Sequence, residues 1–136
     1  MWVALPGQSP GAQPPPAPRS VWDGVYTEKQ GQRGEAIYHE DCSSCHGDQL
    51  SGKSEEDIPA LSGGRFHDTW NGRTVGDLYK KIVRTMPQDD PGRLDARQST
   101  DVVAFILSFN KLPAGQAELP ADDKILSEIR IEPEKK

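Results

Sequence analysis

Apolar positions recur at helical spacing in separate stretches of the chain, each opened by a polar residue able to cap it. The segment from Glu28 to about Asp41 runs without proline, and Thr27 with Gln30 forms a capping-box pattern at its start. Val75, Leu78, Tyr79, Ile82 and Val83 share one face of a second helix, opened by Thr74 with Asp77 and stopped by Pro87. A third opens at Asp95 with Gln98. There Val102, Phe105, Ile106 and Phe109 share a face that Val103 and Leu107 widen until the helix is apolar nearly all round, which places it centrally. A short fourth helix is expected from Ala121 to about Ile129, with Pro120 near its start. No internal repeat is visible, and Asn71-Gly72 is the only hairpin-type turn signal. The pattern is that of an all-α chain.

Composition divides the 136 residues unevenly. Six of the twelve prolines fall in the first eighteen residues (Pro6, Pro10, Pro14, Pro15, Pro16 and Pro18), so residues 1–20 read as a disordered Pro-rich arm or linker and 21–136 as one folded domain. The run Trp2-Val3-Ala4-Leu5 is too short for a signal-peptide core or a membrane span. Residues 21–136 hold all 21 acidic residues but 15 of the 16 Lys and Arg, a formal charge near −6. That surface argues against nucleic acid and anionic membranes as partners. A chain with 34% apolar residues buries only a modest core, which a bulky apolar cofactor would enlarge.

Cys42-Ser43-Ser44-Cys45-His46 supplies that cofactor, because C-x-x-C-H is the attachment sequence of a c-type haem. Two thiols three positions apart lie about one helical turn from each other. Both can add to the vinyl groups along one porphyrin edge while the adjacent imidazole of His46 reaches the iron. With two cysteines and three histidines in the chain, chance gives this arrangement roughly three times in ten thousand, so it is read as a motif. A thioredoxin-like redox pair wants a βαβ setting that is not visible here. A structural zinc site wants further cysteine ligands, and none exist. A plain disulfide leaves His46 without a role.

With helices first, last and in between, C-x-x-C-H near the end of the first, and one late Met-Pro, residues 25 to about 112 resemble the class I cytochromes c. The resemblance implies three to four helices wrapped around one covalently bound haem, with 113–136 as a C-terminal extension. It implies that the first and last helices cross at Gly34, with Tyr38 and Phe105 filling the space beside the contact. Pro59-Ala60-Leu61-Ser62-Gly63 is similar to the family's P-x-L-x-G loop, in which the proline carbonyl accepts the Nδ1 proton of the axial histidine and the leucine lines the haem. Thr85-Met86-Pro87 is similar to the family's T-M-P, making Met86 the second metal ligand with His46, and Ile82 one turn earlier a neighbour of the cofactor. Two alternatives stay open: Met86 as a core residue finishing the stripe that includes Ile82, and His67, in a polar loop beside Phe66, as a rival ligand. His39 lies on the same side of the haem as His46. Phe66, Trp70 and Arg73 resemble the F-x-x-x-W-x-x-R-T stretch of cytochromes that accompany quinoprotein dehydrogenases. There Trp70 would donate to a haem propionate and Arg73 would neutralise it; the alternative is a core tryptophan and a solvated arginine.

Two protein ligands leave no open iron position, so the resemblance implies a soluble, monomeric single-electron carrier without a substrate site. It would work between a quinoprotein dehydrogenase and an oxidase or other acceptor. A haem peroxidase or gas-binding protein is the alternative, and it requires Met86 to be absent from the iron. Haem attachment of this kind implies a periplasmic location and an export signal not present in full in this chain. Glu55-Glu56-Asp57 and Asp89-Asp90 read either as solvated surface or as a docking rim for a basic partner.

Overall fold

The computed structural model describes residues 19–134. The expected arm therefore lies outside the described residues except for Arg19 and Ser20. These two form a short strand, β1 (Arg19–Ser20), pairing in parallel with β2 (Ile129–Arg130) near the other end of the chain. Six helices lie between them: α1 (Glu28–Asp41), α2 (Ser43–His46), α3 (Gly63–Trp70), α4 (Val75–Thr85), α5 (Ala96–Phe109) and α6 (Asp123–Leu126).

The capping signals act nearly as read. Thr74 with Asp77 and Asp95 with Gln98 form complete boxes at the starts of α4 and α5. The third is only half a box. Thr27 Oγ1 accepts the Gln30 N–H at 3.1 Å, but the Gln30 side-chain amide turns to the Leu119 backbone, donating at 3.0 Å and accepting at 2.8 Å. A buried amide satisfied at both ends fixes the tail to α1 as a backbone strand would.

Helices α1 and α5 form the principal packing pair, and Gly34 is their point of closest approach. A Cβ there would collide with the Asp101 carbonyl and stand 3.0 Å from Phe105 Cβ. Tyr38 and Phe105 stack beside it with ring centroids 5.2 Å apart, so the expected crossing is present. Helix α5 is buried on nearly every side from Ser99 to Leu107. Helix α4 packs against it and buries Leu78, Tyr79 and Ile82, and Gly76 on α4 admits the backbone of Ser127 from the α6 end, whose Cα would lie 2.7 Å from an added Cβ.

Three expectations need correction. The fourth helix is one turn, Asp123–Leu126, capped by Asp122, and the residues after it enter the sheet. His67 is not in a loop but on α3, which the sequence pattern does not announce because its apolar face is only Phe66 and Trp70. The 113–136 extension contributes Leu119, Leu126, Ile129 and Ile131 to the main core. Among the described residues no helix is long and apolar enough to cross a membrane.

Candidate haem site

Helix α1 ends at Asp41, Cys42 links it to α2, and the four residues of α2 carry the rest of the C-x-x-C-H sequence. Both thiols are free; Cys42 is half-buried and Cys45 exposed. Burial, reinforced by Asp41 and Cys45, pushes the Cys42 thiol up to about 11. It is therefore held as the thiol rather than the thiolate.

His46 is buried, and its ring is held from below by the loop that follows. His46 Nδ1 lies 3.0 Å from the Pro59 carbonyl oxygen, which requires the proton on Nδ1 and leaves the Nε2 lone pair available. Burial lowers the His46 pKa and the Pro59 contact opposes this only in part, so the ring is biased toward the neutral form that binds metal. Among the described residues no hydrogen bond engages Nε2.

The loop reaches His46 because it is folded back on itself. Gly52, at φ +70°, donates its N–H to the His46 carbonyl at 2.8 Å, and an added Cβ would stand 2.7 Å from the Ala60 nitrogen. Lys53 pairs with Ile58, Leu61 N–H bonds Leu50 carbonyl at 2.7 Å, and the Tyr38 hydroxyl donates to Gly47 carbonyl at 2.6 Å. Asn110, at the end of α5, clips the far side of the loop. Its Nδ2 donates to Leu61 carbonyl at 2.9 Å and its Oδ1 accepts from Gly63 N–H at 3.0 Å. The sequence pattern assigns Asn110 no role; an amide side chain at the end of a central helix is the available signal.

Ile82 is buried and Met86 half-buried on the stripe of α4 and its C-cap, where Met86 N–H bonds Ile82 carbonyl at 3.0 Å. Phe66 and Trp70 are buried on α3, 6.5 Å between ring centroids. The Arg73 guanidinium lies 4.6 Å over the Trp70 ring and is half exposed, with Asp77 4.0 Å away. The Trp70 indole N–H has no hydrogen-bond partner among the described residues. Thus the structure joins His46, Pro59 and Leu61 through one hydrogen-bonded loop, Ile82 with Met86 on one helix end, and Phe66, Trp70 and Arg73 in one aromatic group. No hydrogen bond links these three groups among the described residues.

This donor set fits a covalently held haem. Two unpaired thiols precede a neutral, oriented imidazole, and a thioether and an apolar stripe stand elsewhere in the same small core. Two residues that sequence reasoning missed stand at the edge of this region. Asp41 and Arg93 pair at 3.1 Å, between the last residue of α1 and the segment after Met86.

No curated protein matches the chain. A similar solved structure is that of the sulfane dehydrogenase SoxCD from Paracoccus pantotrophus, with a TM-score of 0.47 and 25% identity; the match covers 68% of this chain and 53% of that one, about half its length. Residues 29–106, more than half of the chain, match the model of the family described as cytochrome c oxidase, cbb3-type, subunit III. That stretch contains the whole of C-x-x-C-H, the Pro59 loop and Met86, and the chain accordingly belongs to this family, an all-α class I c-type cytochrome that carries covalently bound haem c.

Proposed function

We propose that the protein is a one-electron carrier whose haem is attached through Cys42 and Cys45 and ligated by His46 and Met86. The observation that carries the reading is the His46–Pro59 hydrogen bond, which commits the imidazole tautomer and leaves Nε2 free for iron. Bound there, the haem supplies a reversible one-electron couple between ferric and ferrous iron. The chain's own residues do the rest. Pro59 fixes the imidazole plane, and Leu61, Phe66 and Ile82 exclude water from the apolar side. Trp70 and Arg73 offer donors for a propionate, the guanidinium being already held against the ring. Met86 supplies a soft thioether that favours the reduced state and closes the position a gas or peroxide would need.

A periplasmic setting, with a quinoprotein dehydrogenase as donor and an oxidase or other acceptor downstream, completes the reading. The quinoprotein part of it rests on the resemblance of the Phe66, Trp70 and Arg73 stretch to cytochromes that accompany such dehydrogenases, three residues that stand together here. Met86→Ala is the decisive variant. It should lower the reduction potential, abolish the weak sulfur-to-iron charge-transfer band of the oxidised protein and admit carbon monoxide to the ferrous form, which the unaltered protein binds slowly or not at all. If the unaltered protein binds carbon monoxide readily and the variant changes neither band nor potential, the gas-binding or peroxidase reading takes its place. In the same preparation, addition of a quinoprotein dehydrogenase with its substrate should produce the reduced spectrum.

A further inference from the structure

We infer that the Asp41–Arg93 ion pair is a latch that positions the Met86-bearing segment, and so keeps the sixth iron position closed. The inference rests on the proposed His46/Met86 ligation and concerns what holds that ligand in place.

Met86 caps the end of α4, and residues 87–94 then cross to the start of α5. Two consecutive turns shape this segment, with Asp90 N–H bonded to Pro87 carbonyl at 3.0 Å and Arg93 N–H to Asp90 carbonyl at 3.1 Å. Both bonds are internal. From Pro87 to Arg93 every residue is half-buried or exposed, and Leu94 is the first to enter the core. Among the described residues, one ion pair, Arg93 Nη2 to Asp41 Oδ1 at 3.1 Å, and no hydrogen bond link residues 87–94 to any other part of the molecule.

The partner's position makes the contact more than a surface pair. The Asp41 side chain is only 8% exposed, it adjoins Cys42, and it ends α1, where the helix dipole disfavours an anion. A carboxylate so placed needs a cation, and Arg93 is the one paired with it. The pair therefore fastens the segment following the sixth ligand to the helix end that carries the first thioether, coupling two walls that are otherwise joined only through the core. Arg93 is a positioning residue: it acts on the iron through the segment that holds Met86.

The haem-loaded protein tests this with Arg93→Gln, Arg93→Lys and the double variant Arg93→Gln/Asp41→Asn. Two readouts are followed: carbon monoxide association to the ferrous protein, and hydrogen exchange of the Asp90 and Arg93 amides. Arg93→Gln should speed both by roughly tenfold, the factor for losing from a local closing equilibrium one ion pair with a largely buried anion and a half-exposed cation. Arg93→Lys should recover much of the loss. The double variant, which no longer buries an unpaired charge, should regain melting temperature while keeping fast exchange and fast carbon monoxide binding. Unchanged exchange and gas binding in Arg93→Gln, or recovery of both in the double variant, would show that Arg93 only neutralises Asp41 and would overturn the latch. If the unaltered protein already binds carbon monoxide freely, the ligation reading fails, and exchange of the two amides alone still decides whether the latch exists.

Discussion

At the scale of single residues, the same substitution has opposite expected signs at two glycines one turn apart on α1. Gly34→Ala drives a methyl into the Asp101 carbonyl and against Phe105 Cβ, and neither the backbone group nor an atom bonded directly to Cα is a flexible end that can yield. A loss of about 3 kcal/mol, the upper end for overpacking, is expected in chemical denaturation. Gly31→Ala meets Ser108 Cβ at 3.6 Å, an ordinary contact, and gains helix propensity of about 0.5–1 kcal/mol. Equal losses at both positions would mean that the helices do not cross at Gly34. Gly34 was legible because a glycine and two aromatics at fixed offsets form a pattern. Pro59 was legible for the same reason, its carbonyl lying 3.0 Å from His46 Nδ1. Asp41 and Arg93 were not, because a charge pair 52 positions apart leaves no mark on local spacing.

At the scale of elements, α1, α5 and the tail meet in one charged cluster that gives the fold a defined acid response. Arg33 donates Nε and Nη2 to the two Asp101 carboxylate oxygens at 3.2 Å each, and Nη2 to Glu118 at 2.6 Å. The Arg33 hydrogen bond is the main reason the Glu118 pKa lies below its ordinary value. A carboxylate depressed in the folded state stabilises the fold above its unfolded pKa and loses that contribution as pH falls through the folded one. Glu118→Gln should therefore melt below the unaltered protein at neutral pH, with the gap narrowing as the solution is acidified below the usual carboxylate range. A gap independent of pH would place the effect in packing instead. The elements themselves were legible where apolar spacing and caps coincide, as in α1, α4 and α5, whose starts match the sequence reading. Helix α3 was missed because eight residues with two buried aromatics carry too little periodicity to separate helix from loop.

For the whole molecule, the informative departure is the tail, which the family resemblance leaves outside the core and the structure folds into it. Leu119 stands between Glu118 and Pro120, Leu126 and Ile129 fall at helical spacing, and Ile129 and Ile131 alternate about Arg130, a mixed pattern too short to decide between helix and strand, yet each of the four is at most 3% exposed. Pairing of β2 with β1 closes the two ends of the described chain on one another, and Ile131 exchanges backbone hydrogen bonds at 2.8 Å with Gly72 and Arg73 beside the Trp70 group. The tail thus buttresses the segment that presents Trp70 and Arg73. Each of the four side chains is worth about 1.5–3 kcal/mol of buried apolar surface, an upper bound, against a total stability of about 5–15 kcal/mol for an ordinary domain. A chain ending at Pro113 should consequently lose cooperative thermal unfolding before haem attachment and melt well below the full chain after it. Its spectrum should still show His46 ligation, because the Pro59 loop is tied to α1, α2 and α5 rather than to the tail. A truncated protein that melts within a few degrees of the full chain would mean that these four residues cover the core without stabilising it.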